Sequence, residues 1–420
     1  MTFKRIITFI ILVVVTSFYL FPVSLVFLPE SLNTKIILAG FGIVAFLYDG
    51  ITKKSFNIPR YILYSGLLAF VFSLWCLYCV AANGTDDMSY ASYWVSFFTW
   101  LFGAYAVCFL IREMTGKLDL GSLSFYLATV CLAQCILAEW IDHSPSFQQA
   151  VDRIFVQGQE LFHDVKRLYG IGAALDTAGV RFSVVLVLIA HQLSRNEQVI
   201  RKPFLSAYYI TTFSIVTIIG SIIARTTWIG AALGLLYLVF VYFRTEHGTV
   251  SRKQIRFWSL FLSLTLLSVV ICVILYRINP EYRNNLRFGF EGFFNWAETG
   301  VFSTGSTDKL NQVMWIWPED TRTWIIGKGL FGNWVFSTDI GYCRFTLYCG
   351  LVGLCLFSLF FIYNGLVLLR RFPGIVLMAV ALIFLTFIIW VKVATDIFFI
   401  YALFYWLPEE TESHETVVAL

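Results

Sequence analysis

The sequence predicts an all-α polytopic membrane protein, organised as a single integral membrane domain over residues 1–420. Hydrophobic residues make up 59% of the chain and charged residues only 13%, and the mean hydropathy is +0.76. The apolar runs are long and continuous, without the alternation that a membrane β-strand shows. Since only helices and closed barrels satisfy every backbone polar group in lipid, we expect helices.

About twelve apolar runs approach the length of roughly 20 residues that a helix needs to cross the hydrocarbon core. The first is too long for a signal peptide and has no small-residue cleavage site, so we expect a retained span. The last two are interrupted by Lys392 and Asp396 and could form one bent element. In chain order the predicted spans are Ile6–Leu28, Thr34–Tyr48, Tyr61–Ala82, Ala91–Ile111, Leu123–Trp140, Val180–Leu193, Leu205–Ile223, Trp228–Phe243, Phe257–Tyr276, Cys343–Leu369, Ile375–Val391 and Ile397–Leu407.

Basic residues occupy alternate connectors, which the positive-inside rule places in the cytoplasm. Both termini then lie inside, and residues 408–420 form a cytoplasmic tail. Two large loops, 141–179 and 277–342, fall on the opposite side together with Asp86 and Asp87. The basic residues that set this orientation are Lys4, Arg5, Lys53, Lys54, Arg60, Arg112, Lys117, Arg195, Arg201, Lys202, Arg244, Arg252, Lys253, Arg256, Arg370 and Arg371.

The first large loop contains a predicted amphipathic helix. It could lie in the membrane interface or cap the helical bundle, and the sequence leaves both open. Its apolar positions are Phe147, Val151, Ile154, Phe155, Leu161, Phe162, Val165 and Leu168.

The sequence carries no P-loop, no HExxH motif and no nucleophile elbow. It has no Asp-x-Asp pair to hold a metal-bound diphosphate, and its nine cysteines show no metal-type spacing. We therefore expect neither a metal nor a cofactor. The net charge of only +4 gives no indication of a nucleic-acid partner. Arginines on the loop-bearing side remain as candidates for chemistry.

Arg225 is the sharpest of these candidates. It lies in SIIARTTWIG, in the tight turn between the seventh and eighth spans. A charge at membrane depth costs several kcal/mol unless it is paired or solvated. Arg225 could extend toward lipid headgroups. We favour a phosphate-binding role, because the planar guanidinium binds phosphate oxygens in a bidentate manner.

Further candidates flank the two loops. Arg167 and Arg181 bracket RLYGIGAALDTAGVR at the entry to the sixth span, and Arg322 lies in the second loop. Asp339 and Arg344 lie where that loop enters the tenth span. Asp339 could cap that helix or act as a general base. We predict Arg225 and Asp339 as catalytic residues, and the other four arginines as substrate-binding residues.

Three patches, RLYGIGAALDTAGVRF, ARTTWIG and IIGKGLFGNWVFSTDIGYCRFTLYCGLVG, resemble O-antigen polymerases of the Wzy type. The whole chain is similar to this polymerase and ligase superfamily in its many spans and two large loops. The ligases have a histidine, then Asn, Ser or Gln, nine residues and G-x-x-G. Here Asp339 stands in the place of the histidine, with Gly350 and Gly353 at the matching spacing. This departure favours a polymerase and leaves the role of Asp339 open.

The resemblance implies a GT-C-like glycosyltransferase of the bacterial inner membrane, with its site on the periplasmic side. Its substrates would be glycan repeat units on undecaprenyl pyrophosphate, and a chain-length regulator protein would be a partner. An acceptor hydroxyl would attack the anomeric carbon of the donor, and lipid pyrophosphate would leave. The alternatives are an O-antigen ligase that acts on lipid A core and a flippase for lipid-linked oligosaccharides.

Overall fold

The computed structural model describes residues 3–29, 31–56, 58–157, 167–243, 252–332 and 336–409, with residues 252–254 described by their backbone alone. Within these residues, nine helices are at least 18 residues long and apolar enough to cross a membrane. Thr227–Phe243 and Pro373–Ile389 are shorter apolar helices. The predicted class, an all-α polytopic membrane protein, is confirmed. The total of twelve spans stays a prediction.

The helices follow the apolar runs closely. They are α1 (Phe3–Leu20), α2 (Thr34–Thr52), α3 (Arg60–Asn83), α4 (Tyr93–Thr115), α5 (Leu120–His143), α6 (Pro145–Ile154), α7 (Leu175–Arg195), α8 (Glu197–Arg201), α9 (Pro203–Ile223), α10 (Thr227–Phe243), α11 (Arg252–Ile278), α12 (Pro280–Gly289), α13 (Glu291–Thr299), α14 (Gly305–Val313), α15 (Thr321–Ile326), α16 (Gly341–Arg371), α17 (Val376–Ile389) and α18 (Phe398–Tyr405).

The first helix and the amphipathic helix both end earlier than predicted, and a short sheet joins the segments that follow them. The first helix ends at Leu20 rather than Leu28, because Pro22 disfavours helical backbone at the residue before it. Strand β1 (Ser24–Leu25) then pairs antiparallel with β2 (Phe155–Val156). This pairing ends the amphipathic helix at Ile154. Of its other predicted apolar positions, Leu168 lies outside any helix, and Leu161, Phe162 and Val165 lie outside the described residues.

Helix α7 is the buried centre of the second half of the chain, with nearly every residue from Ala178 to Leu193 inaccessible. It packs most extensively against α10. A Cβ at Gly230 would lie 2.1 Å from the Cα of Ser183, so only glycine permits this approach. The close contact fixes the turn 224–226, which contains Arg225, against the beginning of α7.

Both large loops meet the turn 224–226 at one end of the bundle, which we call the loop side; it comprises residues 84–92, 141–157, 167–176, 224–226, 279–332 and 390–397. The indole of Trp228 donates to the carbonyl of Gly289 at 3.1 Å and contacts the rings of Phe290 and Phe293. Nδ2 of Asn285 donates to Asp142 at 3.4 Å. Helices α12 and α13 of the second loop are thereby fixed over α5 and α10.

Helix α16 is broken at Gly350, which has φ +67° and ψ −178°. The turn after α15 fits into the break. The backbone N–H of Lys328 donates to the carbonyl of Leu347 at 2.6 Å, and that of Gly329 donates to Tyr348 at 3.0 Å. The indole of Trp75 donates to the carbonyl of Cys349 at 2.8 Å. The carbonyls freed by the break are thus satisfied inside the protein, as backbone at membrane depth requires.

Candidate functional site

Arg225 and Arg167 converge on one aromatic ring. The guanidinium carbon of Arg225 lies 4.5 Å from the ring centroid of Phe288, and that of Arg167 lies 5.0 Å from the same centroid. Arg225 also forms a salt bridge with Glu291, and its side chain is only 15% exposed. The turn 224–226 and the first loop thus supply one arginine each, and the second loop supplies Phe288 and Glu291. The structure therefore brings together two of the predicted arginines, around a phenylalanine of α12.

A polar cavity of about 640 Å³ lies next to the Phe288 ring. Arg167 and Phe288 line one part of it. The carboxylates of Asp142 and Glu281 line another part. Its remaining polar walls come from Gln148, Tyr169, Asn284 and Asn285. Burial raises the pKa of Tyr169, so its hydroxyl is protonated at neutral pH. Amides, carboxylates and a phenol are groups that bind the hydroxyls of a sugar.

Lys392 forms the second part of the site and lies against the turn that contains Arg225. Its Nζ lies 3.3 Å from Oδ1 of Asp176 and 3.1 Å from Oγ1 of Thr226. The hydroxyl of Thr226 donates to the same carboxylate. Lys392 thus pairs with Asp176 at the beginning of α7, so the segment after α17 lies against the turn that contains Arg225.

Arg181 belongs to a neighbouring charged cluster. Its guanidinium carbon lies 5.8 Å from the ring centroid of Phe21. Arg181 and Lys35 both interact electrostatically with Asp396, whose carboxylate accepts from the backbone N–H of Phe398 at 2.9 Å. The structure therefore places Arg181 in a cluster of two cations around one carboxylate. It does not place Arg181 on the Phe288 ring.

Asp339 and Arg344 lie at the start of α16. The N-cap position of this helix is Ile340, without a side-chain capping bond, so Asp339 does not occupy the position that the capping interpretation assumed. Arg344 interacts electrostatically with Asp339. The backbone N–H of Tyr342 donates to the carbonyl of Trp390 at 3.2 Å. The start of α16 is thereby joined to segment 390–393, and through Lys392 to the turn containing Arg225.

Arg344 and Arg322 have structural partners. Arg344 donates to the carbonyl of Phe331 from Nε and Nη2, at 3.1 and 2.8 Å, and lies over the ring of that residue. Arg322 donates to the carbonyl of Ala82 at the end of α3, at 2.8 Å. Both arginines fasten the second loop to the bundle. Their predicted substrate-binding role stays a prediction.

Asp87 also fastens the second loop. It accepts the backbone N–H of Phe331 at 2.7 Å and the hydroxyl of Ser89 at 2.5 Å. Burial alone would raise the pKa of Asp87. The hydrogen bonds from Ser89, Phe331 and Gly332 together outweigh burial and lower the pKa. The carboxylate is therefore charged at neutral pH, and its bond to Phe331 fixes this part of the second loop.

Comparisons with protein-family models, with curated proteins and with solved structures found no match to this chain.

Sequence reasoning missed several members of this site. Glu291 and Phe288 lie more than 60 positions beyond Arg225, in a loop whose fold no local pattern specifies. Asp142 lies at the end of a predicted span, where it resembles an ordinary flanking charge. Lys35 did carry a signal, because it is a lysine at the non-cytoplasmic end of its predicted span. It is thus an exception to the distribution that set the orientation.

Proposed function

We propose that the chain is a membrane glycosyltransferase that polymerises glycan repeat units on a polyprenyl pyrophosphate carrier. One observation carries the proposal: Arg225 and Arg167, from separate segments, converge on Phe288, and Phe288 and Arg167 line a cavity together with carboxylates and amides. Cations suit a pyrophosphate leaving group, and the cavity walls suit sugar hydroxyls. A GT-C-like fold, twelve spans and a periplasmic site in a bacterial inner membrane belong to the same proposal.

The proposed reaction is a single displacement. An acceptor hydroxyl attacks the anomeric carbon of the donor glycan, and the bond from that carbon to the pyrophosphate oxygen breaks. The hydroxyl proton passes to a carboxylate, and lipid pyrophosphate leaves with the negative charge. Preorganised cations stabilise the charge that develops on the leaving group, which is the effect expected to contribute most to such a reaction. Arg225, Arg167 and Lys392 are the cations assigned to this task.

The proposed function is tested by its product. The purified chain in nanodiscs would receive lipid-linked repeat units from cells of the source organism that lack it. We expect a ladder of longer glycans that remain on the lipid. Glycan transferred to lipid A core would identify a ligase. Repeat units that cross the membrane of proteoliposomes without lengthening would identify a flippase. Either of these two outcomes would contradict the proposal.

The identity of the general base is the next point to test. Asp339 is assigned as the general base, because the start of α16 is joined through segment 390–393 to the arginine site. Asp339→Asn keeps the shape of the side chain but cannot accept the proton. We expect polymer formation to fall about a hundredfold or more, with an unchanged melting temperature.

Asp142→Asn is the matched comparison, because Asp142 is a carboxylate that lines the cavity beside Arg167. If Asp142→Asn abolishes polymer formation while Asp339→Asn retains it, the base is Asp142. If both variants stay fully active, proton removal by either of these two carboxylates is ruled out.

A further inference from the structure

Three tryptophans of the second loop, Trp315, Trp317 and Trp324, form a row of neighbouring rings on the loop side, which we call the ladder. The ring centroids of Trp315 and Trp317 are 5.9 Å apart, with 31° between their planes. Those of Trp317 and Trp324 are 5.7 Å apart, with 15° between their planes. Trp315 and Trp317 are each 40% exposed. No indole N–H of the three donates a hydrogen bond to another residue that the structure describes. The ladder therefore presents flat apolar faces edged by available donors.

The ladder is fixed next to the start of α16. Met314, the residue before Trp315, is buried against Ile340 and Cys343. The carbonyl of Met314 accepts the hydroxyl of Thr338 at 2.6 Å. Thr338 directly precedes Asp339, the assigned base. At its other end the ladder is fixed through α15, which packs against α16.

The chemistry of the ladder matches a sugar chain. One face of a pyranose ring carries C–H groups, which pack on the negative face of an aromatic ring, while its hydroxyls accept from indole N–H groups at the edge. A tryptophan belt that only anchors the protein in lipid is the competing explanation. Three charged residues, Glu319, Asp320 and Arg322, are exposed within the same short segment. Exposed charges at this density favour an aqueous ligand over acyl chains.

We propose that Trp315, Trp317 and Trp324 form a glycan-binding platform, which holds the sugar chain of the lipid-linked substrate beside Asp339. This inference rests on the proposed function and adds a binding subsite to it. Stacking holds the chain without chemistry, so the platform should affect the concentration of substrate required and leave the chemical step unchanged.

The test uses the soluble oligosaccharide that mild acid releases from the lipid-linked glycans of cells lacking the chain. Its Kd would be measured by calorimetry on the full chain in nanodiscs. We expect the double variant Trp317→Ala/Trp324→Ala to weaken binding about tenfold or more, since two aromatic contacts are lost. The same variant should raise KM with kcat unchanged. Phenylalanine at both positions keeps an aromatic face and should restore part of the affinity.

Trp94→Ala is the matched control, because Trp94 is an exposed tryptophan on α4, 44% accessible, outside the ladder. It should bind the oligosaccharide like the unaltered chain. Equal affinity in the double variant and the unaltered chain would overturn the platform. Quenching of the ladder by brominated lipids would also overturn the platform if the double variant binds the oligosaccharide as tightly as the unaltered chain. That result would identify a membrane anchor. Melting temperatures exclude variants that fail to fold, and Trp315→Ala then serves as the second variant.

The two proposals fail separately. If the unaltered chain lengthens lipid-linked glycans but binds no released oligosaccharide, the platform is wrong and the polymerase stands. If it binds the oligosaccharide in a manner that depends on Trp317 and Trp324 but never lengthens a glycan, the polymerase is wrong and the platform stands.

Discussion

Arg225→Lys is expected to lower the rate of glycan polymerisation by roughly a hundredfold, although the positive charge is kept. Arginine presents a planar fork that binds two phosphate oxygens together, and lysine presents a single ammonium group. Phe288 and Glu291 hold the guanidinium in its orientation, and the single ammonium group of the shorter lysine side chain cannot present two donors in one plane. The measurement is the rate of glycan lengthening by purified protein with lipid-linked repeat units.

The salt bridge between Arg225 and Glu291 offers a competing, purely structural explanation. In that case Arg225 only holds the second loop, and the lysine variant, which keeps a charge for Glu291, would be nearly as active as the unaltered chain. Glu291→Gln separates the two roles further. A structural pair predicts that Glu291→Gln and Arg225→Ala lower the melting temperature equally. A leaving-group role predicts that Arg225→Lys lowers kcat at an unchanged melting temperature.

Arg201→Lys is the control for this series. Arg201 lies in the connector between α7 and α9 and forms an exposed pair with Glu197 at 2.5 Å. Exposed pairs of this kind contribute about 0–1 kcal/mol. The variant should therefore be as stable and as active as the unaltered chain. Nearly normal polymer length in Arg225→Lys, at normal protein level, would remove Arg225 from the site.

The helices could be predicted because each depends on a local property, a continuous apolar run of sufficient length. The residue at the middle of every predicted span lies in a helix of the structure. The sheet between β1 and β2 could not be predicted in this way. Each strand has two residues, and the strands lie more than 120 positions apart, so no periodicity marks them. The early end of the first helix did have a signal in Pro22.

Residues of the site could be predicted only where a charged residue interrupts an apolar stretch of sequence. Arg225 and Lys392 are charges within apolar sequence. In the structure Arg225 lies within the turn 224–226, and Lys392 contacts that turn. Their partners Glu291 and Asp176 are ordinary loop and helix-terminal carboxylates, and only the tertiary fold selects them. The tryptophan ladder was visible as composition but not as geometry, because stacking requires α15 to fold back on the segment before it.

The break in α16 was likewise hidden, because Gly350 lies inside a long apolar run with only a second glycine, Gly353, to mark it. The break leaves Gly341–Cys349 as a separate half-helix, with Arg344 near its beginning. Discontinuous helices of this kind often form ligand sites in membrane proteins. The turn 327–329 bonds to the exposed carbonyls of the break, so the second loop and the half-helix form one unit.

Gly350→Ala is therefore expected to destabilise the protein by about 3 kcal/mol or more, since φ near +67° with ψ near 180° is open essentially to glycine alone. An added Cβ would also lie 2.0 Å from the carbonyl oxygen of Ile325, a backbone atom that cannot move aside. Thermal unfolding in detergent measures the loss. Gly40→Ala is the control, because no atom lies within 4 Å of its Cβ position in α2. A Gly350→Ala protein as stable as Gly40→Ala would show that α16 can run unbroken, and that the bonds from the turn 327–329 do not require the break.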